Sequence, residues 1–307
     1  MQDFRKAGVR ARILMCAPDH FEVAYSINPW MHPDEWESRR EELTGRSCDG
    51  WSLLRHRLEA IGAAIELVPP QPGLPDMVFT ANAAVVLDGK ALVATFRHPE
   101  RQGETPHYRK AFEQLMARGL LRDVVDMPAG MTLEGAGDCV HDVTRDTFFL
   151  GYGFRSDREA AKVVAELTGE HVEPIELVDP RFYHMDTCLA PLSGGQVLYV
   201  PCAFTAEGRG RIAEIVGKDN LIEVPDEDAE KLAANLVNVG QDIVLAEASR
   251  AFKDMVGEHG YTVHEVPIRS FGLSGGSAFC LTLRLDRLSS RAIRQGLAEE
   301  KLAAAGD

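Results

Sequence analysis

Four times between residues 83 and 248 the sequence sets an apolar segment, a tight turn and a second apolar segment in succession. The four are AAVVLDGKALVATF (83–96), CVHDVTRDTFFLGY (139–152), CLAPLSGGQVLYVP (188–201) and NLVNVGQDIVLAEA (235–248). Asp88-Gly89, Gly194-Gly195 and Gly240 fall where hairpin turns need a positive φ. Each hairpin leads into an amphipathic stretch, at about 104–118, 157–168, 206–217 and 248–258, and then into one more strand: LRDVVDM, EPIELV, NLIEV and YTVHEV. Aligned on their second strands, the units are offset by 56, 50 and 45 residues. A unit this small cannot bury its own apolar face, so a recurring one predicts a stack or a ring of equivalents.

A fifth unit can be assembled from both ends of the chain. A strand at 11–16, with a helix and strand from 34 to 68, completes the hairpin that begins at 278–285. Closing the ring in this way leaves no open sheet edge and turns one loop of every unit toward the axis. The competing arrangement is an open α+β sandwich with accidental internal similarity. Helical periodicity from about Asp34 to Ile61 should break near Gly45 to Asp49, and Pro69-Pro70 should stop the strand that follows. Residues 1–285 read as one catalytic domain, and residues 286–307 as a C-terminal helical tail.

A formal net charge of −14 on 307 residues argues against nucleic acid or an anionic membrane as the partner and favours a small cation. The longest apolar runs fall well short of the roughly 20 residues of a spanning helix, and the N-terminal run is too short for a signal peptide. A cytoplasmic location is therefore expected. The six cysteines include no CxxC pair, which suits neither a zinc knuckle nor a disulfide scaffold. Cys16, Cys48, Cys139, Cys188 and Cys202 read as structural thiols.

Cys280 is different, because it closes the glycine-rich run GLSGGSAFC (272–280) just before an alternating apolar segment. That predicts a thiol mounted where a mobile turn enters a strand, with backbone N–H groups free to face charge. Three further loops stand at the equivalent place, ahead of a hairpin: Pro75–Asn82, Leu133–Asp138 and Phe182–Thr187. They would bring His184, Glu134, Asp138 and Asp186 to the same cavity. A thiolate is the nucleophile least in need of activation, and a nearby cation lowers its pKa further. His184 could protonate a departing amine and then activate water, with Glu134 holding its tautomer. Asp138 and Asp186 could bind a planar cation by bidentate hydrogen bonds. A guanidinium meets all of these demands.

With these residues assembled, nearly the whole chain resembles the guanidino-group-modifying enzymes. These include arginine deiminase, dimethylarginine dimethylaminohydrolase, glycine amidinotransferase, succinylarginine dihydrolase and arginine dihydrolase. The resemblance implies an α/β fold, a five-bladed α/β propeller with pseudo-fivefold ββαβ repeats. It implies Cys280 as nucleophile, His184 of the His-Met-Asp-Thr segment as acid and base, and Glu134 of Glu-Gly-Ala-Gly-Asp as partner carboxylate. That last segment has one residue more than the usual deiminase form, which bears on Asp138. Thr80-Ala81-Asn82-Ala83-Ala84 looks like the dihydrolase form of its loop, and Asn28-Pro29-Trp30-Met31 looks like the arginine dihydrolase N-P-W-M, so Asn82 and Asn28 become substrate-binding candidates. Asp186 favours an unsubstituted guanidinium over a methylated one. Arg97 and Arg101, after the first hairpin, are candidates to grip the substrate carboxylate. The implied reaction is hydrolysis of arginine to ornithine, ammonia and carbon dioxide through a covalent thiouronium, without metal or organic cofactor. The alternatives are a deiminase or dimethylaminohydrolase stopping at citrulline, and an amidinotransferase. A homo-oligomer is left open.

Overall fold

The structure, a computed structural model, describes residues 11–296. Five three-stranded sheets make a five-bladed α/β propeller, each blade an antiparallel pair with a third strand added parallel to its second. Four blades follow the repeat in order: Ala84–Leu87, Lys90–Val93 and Asp123–Asp126; Cys139–Asp142, Thr147–Tyr152 and His171–Glu176; Leu189–Pro191, Val197–Tyr199 and Leu221–Glu223; Val237–Val239, Asp242–Leu245 and Thr262–Glu265. The fifth is shared by the two ends. Ala11–Cys16 runs antiparallel to Leu283–Arg284, with Leu14 opposite Leu283, and parallel to Ala63–Val68, with Ala11 opposite Ala63. The expected ring is closed by the fifth strand group, and the open sandwich is excluded.

Local chemistry accounts for the unit boundaries. Asp88 and Gly89 both have positive φ, 52° and 75°, the backbone that a two-residue turn needs to match strand twist. The helices Ala206–Val216 and Arg250–Glu258 start where Thr205 and Ser249 accept the N–H of Gly208 and Phe252 as N-caps. The second repeat helix begins at Ala160 rather than at 157. Asp157 is engaged elsewhere, accepting from the Thr132 N–H and from Arg97.

One expected break is misplaced. The N-terminal helical region divides at Arg39, between Pro33–Ser38 and Arg40–Ala60, and the second helix runs through Gly45 to Asp49 without interruption. Packing decides this: Ser47 bonds to the Leu43 carbonyl and to Ser270, and Gly50 lies so close to the Pro267 carbonyl that a Cβ would sit 2.4 Å from its oxygen. Tertiary contact thus overrides the weak helix propensity of Gly and Ser.

Apolar side chains between the blades form the cores, the largest joining the second to fourth blades around Phe149, Phe182, Leu198, Phe204 and Phe252. In the expected C-terminal tail, residues 290–296 are helical, and 297–307 lie outside the described residues. No helix among the described residues is long and apolar enough to cross a membrane.

Candidate active site

The segment ahead of each blade's first strand turns inward, and five such segments meet at the axis. Ala81 N–H donates to the Cys280 carbonyl at 3.1 Å, and the Asn82 amide donates to the Glu134 carbonyl at 3.2 Å. Glu134 reaches His184, whose Nε2 lies 2.8 Å from its Oε2. From the short turn after His184, Asp186 Oδ2 lies 3.1 Å from the Cys280 sulfur. The imidazole and the sulfur, about a hundred positions apart in sequence, are thus joined through buried contacts.

The fifth segment supplies a residue that the sequence reading passed over. Asn235 stands two positions before its strand, as Asn82 does, and is fully buried. Its Nδ2 donates to the Cys280 sulfur at 3.0 Å and to the Asp186 carbonyl at 3.1 Å. Its Oδ1 accepts the N–H groups of Ser277 and Cys280 at 3.0 and 3.1 Å. A signal was present, since Asn235, like the candidate Asn82, is an asparagine two residues ahead of the first strand of its blade.

A small pocket opens onto Cys280, lined by Asn28, Asp76, Phe79, Asn82, Arg101, Arg155 and Tyr183 among others. Asp76 and Arg155 are also additions. Asp76 accepts from Tyr25 Oη at 2.8 Å and Ser274 Oγ at 3.2 Å, which leaves a carboxylate facing the pocket. Arg155 donates to Glu134 at 3.0 Å and to the Ile27 carbonyl, with its guanidinium 4.6 Å from the Tyr183 ring centre. Nothing around Arg155 in sequence marks it. The 17–33 segment closes the pocket: Asn28 donates to the Ser274 carbonyl, and Trp30 Nε1 donates to the Arg181 carbonyl at 2.8 Å.

Not every candidate joins the pocket. Arg101 lines it, yet its guanidinium is buried, held by both oxygens of Glu104 at 2.8 and 2.9 Å and bonded to Asn82 Oδ1 at 3.0 Å. Arg97 turns outward to Asp157 and the Arg155 carbonyl, and only its backbone N–H touches the site, through Glu134. Its side chain is therefore not placed to grip a substrate in the pocket. Asp138 is likewise taken up internally, by Ser156 Oγ at 2.6 Å and the Met185 N–H at 3.3 Å; like Glu134, His184 and Asp186 it lies behind the pocket's lining rather than on it, but unlike Asp186 it makes no contact with the sulfur. The run before Cys280 is also tightly packed rather than mobile. A Cβ on Gly276 would come within 2.4 Å of the Phe79 ring, and Gly275 has φ of 81° against Tyr183 and Trp30.

Burial dominates the electrostatics. It pushes the Cys280 thiol well above its ordinary range, helped by the Asp186 carboxylate and opposed by the Ser277 N–H and the Asn235 amide. Burial raises Asp186 to about 7 against the hydrogen bonds from Cys280 and Asn235, and Asp186 Oδ1 has no partner. Burial also lowers His184 to about 4, with Glu134 pulling the other way. For Glu134 burial is outweighed by the Arg155 charge and the His184 hydrogen bond, so its carboxyl lies below the usual range. Without ligand the site therefore holds a neutral thiol, a neutral imidazole and an ionised Glu134. With Nε2–H directed at Glu134, Nδ1 carries the free lone pair, on the side of Gly137 and Asn82. Among the described residues no group of three or more His, Cys, Asp and Glu could hold a metal ion.

The family model described as N,N dimethylarginine dimethylhydrolase, eukaryotic, matches residues 18–287. The chain belongs to this family. Within its wider guanidino-modifying superfamily, the chain is 40% identical over 274 residues to the bifunctional arginine dihydrolase/ornithine cyclodeaminase of Synechocystis sp., covering 89% of this chain and 37% of that protein. It therefore spans little more than a third of that relative's length. It is 33% identical over 277 residues to the N(G),N(G)-dimethylarginine dimethylaminohydrolase of Mycobacterium tuberculosis, covering 89% of this chain and 85% of that one. The crystal structure of the N-terminal domain of a cyanobacterial arginine dihydrolase, bound to substrate, superposes with a TM-score of 0.85 at 38% identity, over 91% of this chain and 99% of that one. The same domain covalently bound to a reaction intermediate also gives 0.85. These likenesses agree with the five-bladed α/β architecture.

Proposed function

We propose that this family member is an arginine dihydrolase, converting arginine to ornithine with release of two ammonia molecules and carbon dioxide. The substrate's guanidinium enters the pocket against Asp76, with Asp186 3.1 Å from the sulfur, and its charge offsets the burial that keeps Cys280 neutral. The Cys280 proton passes to His184, and the resulting thiolate attacks the guanidinium carbon. The C–N bond breaks, and the departing nitrogen leaves as ammonia with a proton from imidazolium His184, held by Glu134. Water then gives its proton to His184 and its oxygen to the thiouronium carbon, and the C–S bond breaks to free citrulline. A second round on the ureido carbon releases another ammonia and leaves a carbamate, which loses carbon dioxide to give ornithine.

The observation that carries this reading is the neutral Asn82 amide on the pocket wall that also bears Cys280. A carboxylate there would favour only a cationic guanidinium. An amide, already bonded to Arg101 and to the Glu134 carbonyl, leaves a neutral ureido group no worse placed, so citrulline can stay for a second attack. The similarity to proteins named as arginine dihydrolases supports the same reading.

A second reading rests on the matching family model, which is that of a dimethylarginine hydrolase. Ammonia released per arginine consumed separates a dihydrolase from a deiminase, and the amine released from methylated arginine identifies a dimethylaminohydrolase. A ratio near two supports the dihydrolase and near one a deiminase. Methylamines formed from methylated arginine, with arginine untouched, would transfer the assignment to a dimethylaminohydrolase. Silence toward every guanidine would end it.

A further inference from the structure

We infer that Asn235 is a catalytic residue, the fixed hydrogen-bond donor that holds Cys280 as a thiolate during the reaction. The inference rests on the proposed role of Cys280 as nucleophile and adds a partner for it.

The sulfur has two side-chain neighbours at hydrogen-bond distance, Asp186 Oδ2 at 3.1 Å and Asn235 Nδ2 at 3.0 Å. They are opposite in kind. A carboxylate can only accept, so Asp186 accepts the thiol's hydrogen bond and disfavours the thiolate. An amide NH2 can only donate, so Asn235 bonds to a sulfur lone pair and gains strength when the sulfur becomes charged. Once the proton has left the sulfur, Asn235 is the neighbour whose bond still fits it.

Which end of the amide faces the sulfur is fixed by the backbone. Oδ1 accepts both the Ser277 and the Cys280 N–H groups, so a flipped side chain would set its NH2 against two donors. The same two bonds tie the amide to the loop that carries the nucleophile, and the Phe279 N–H bonds to the Asn235 carbonyl at 3.3 Å. Donor and sulfur therefore belong to one rigid unit. The amide acts in a fully buried position, where a hydrogen bond to a charged sulfur is stronger than in water. Its approach is set by the preceding turn, in which Leu232 holds φ of 57° although it is not glycine.

The test is the pH dependence of Cys280 alkylation by iodoacetamide, followed by mass spectrometry in the full chain without substrate. Asn235→Ala removes the donor together with the backbone anchor. Asn235→Asp keeps an oxygen for the two N–H groups but puts a second oxygen against the sulfur. Both should move the alkylation midpoint upward, by about 1 to 2 pH units for a lost bond to a charged group, and the Asp variant should move at least as far as the Ala variant. Asn235→Ser, which keeps a hydroxyl donor, should recover part of the shift. If circular dichroism shows that the Ala variant does not fold, the Asp variant decides. An unchanged midpoint in a folded Asp variant would overturn the inference, even if turnover fell, because that pattern belongs to a merely structural asparagine. The readout needs no substrate. A shifted midpoint in a protein inert to guanidines would keep this inference and remove the proposed function instead.

Discussion

Asp186 shows at the residue scale how function and stability pull apart. Its carboxyl is buried, one oxygen lacks a partner, and burial raises its pKa from 3.8 to about 7. The folded state thus binds one proton more than the unfolded state between those values, so stability falls as pH rises through that window and stays reduced above it. Asp186→Asn should therefore melt at least about 2 °C above wild type at pH 8, with the gain disappearing below about pH 4, as calorimetry across pH would record. Hydrolysis of arginine by the same variant should fall at least about tenfold, since the amide cannot offset a guanidinium. Cys280→Ser should remove turnover, by about 10⁴-fold or more, while the circular dichroism spectrum stays that of wild type. Turnover that survives would place the nucleophile elsewhere. Cys280, His184 and Glu134 were legible in the sequence because they sit in short segments at one repeat position. Arg155 was not, because it reaches Glu134 from a loop with no motif.

Elements here are governed more by what packs on them than by propensity, and the helix Arg40–Ala60 provides an internal comparison. Gly45 and Gly50 both lie within it, but a Cβ at Gly45 meets nothing within 4 Å, whereas one at Gly50 would strike the Pro267 carbonyl at 2.4 Å. Gly45→Ala should stabilise the protein by about 0.5 to 1 kcal/mol. Gly50→Ala should destabilise it by about 1 to 3 kcal/mol, because the obstacle is backbone and cannot rotate away. Urea denaturation of the two variants checks both signs. The expected break at 45–49 was misplaced for the same reason: sequence presents Gly45, Ser47 and Gly50 alike as weak helix formers, and only the neighbour at each position tells them apart. The same holds in the Cys280 loop, where Gly275 and Gly276 serve close contact with Tyr183, Trp30 and Phe79 rather than mobility.

The whole molecule is a ring closed by its own two ends. Ala11–Cys16 is the central strand of the fifth sheet, hydrogen-bonded on both sides, and Ile13, Leu14, Met15 and Cys16 are buried. Removing residues 11–16 should therefore open the propeller, exposing two strand edges and separating the Cys280 loop from the loop of Asn82, which bonds to it. Loss of a cooperative melting transition is expected. A truncated protein that still melts cooperatively near the wild-type temperature would show that closure is not what holds the blades together.

What the sequence determined by itself was periodic: five units, the turns that join their strands, and one position per unit from which a side chain faces the axis. Those follow from alternation and glycine placement, which are local and repeated. Tertiary structure alone decided which residues at that position touch. Asp186 and Asn235 flank the sulfur, Arg155 pins Glu134, Arg101 is bound by Glu104, Arg97 turns outward to Asp157, and Asp138 is held by Ser156. The physical reason is that a hydrogen bond depends on a few tenths of an ångström between segments far apart in the chain, and neither spacing nor composition records that distance.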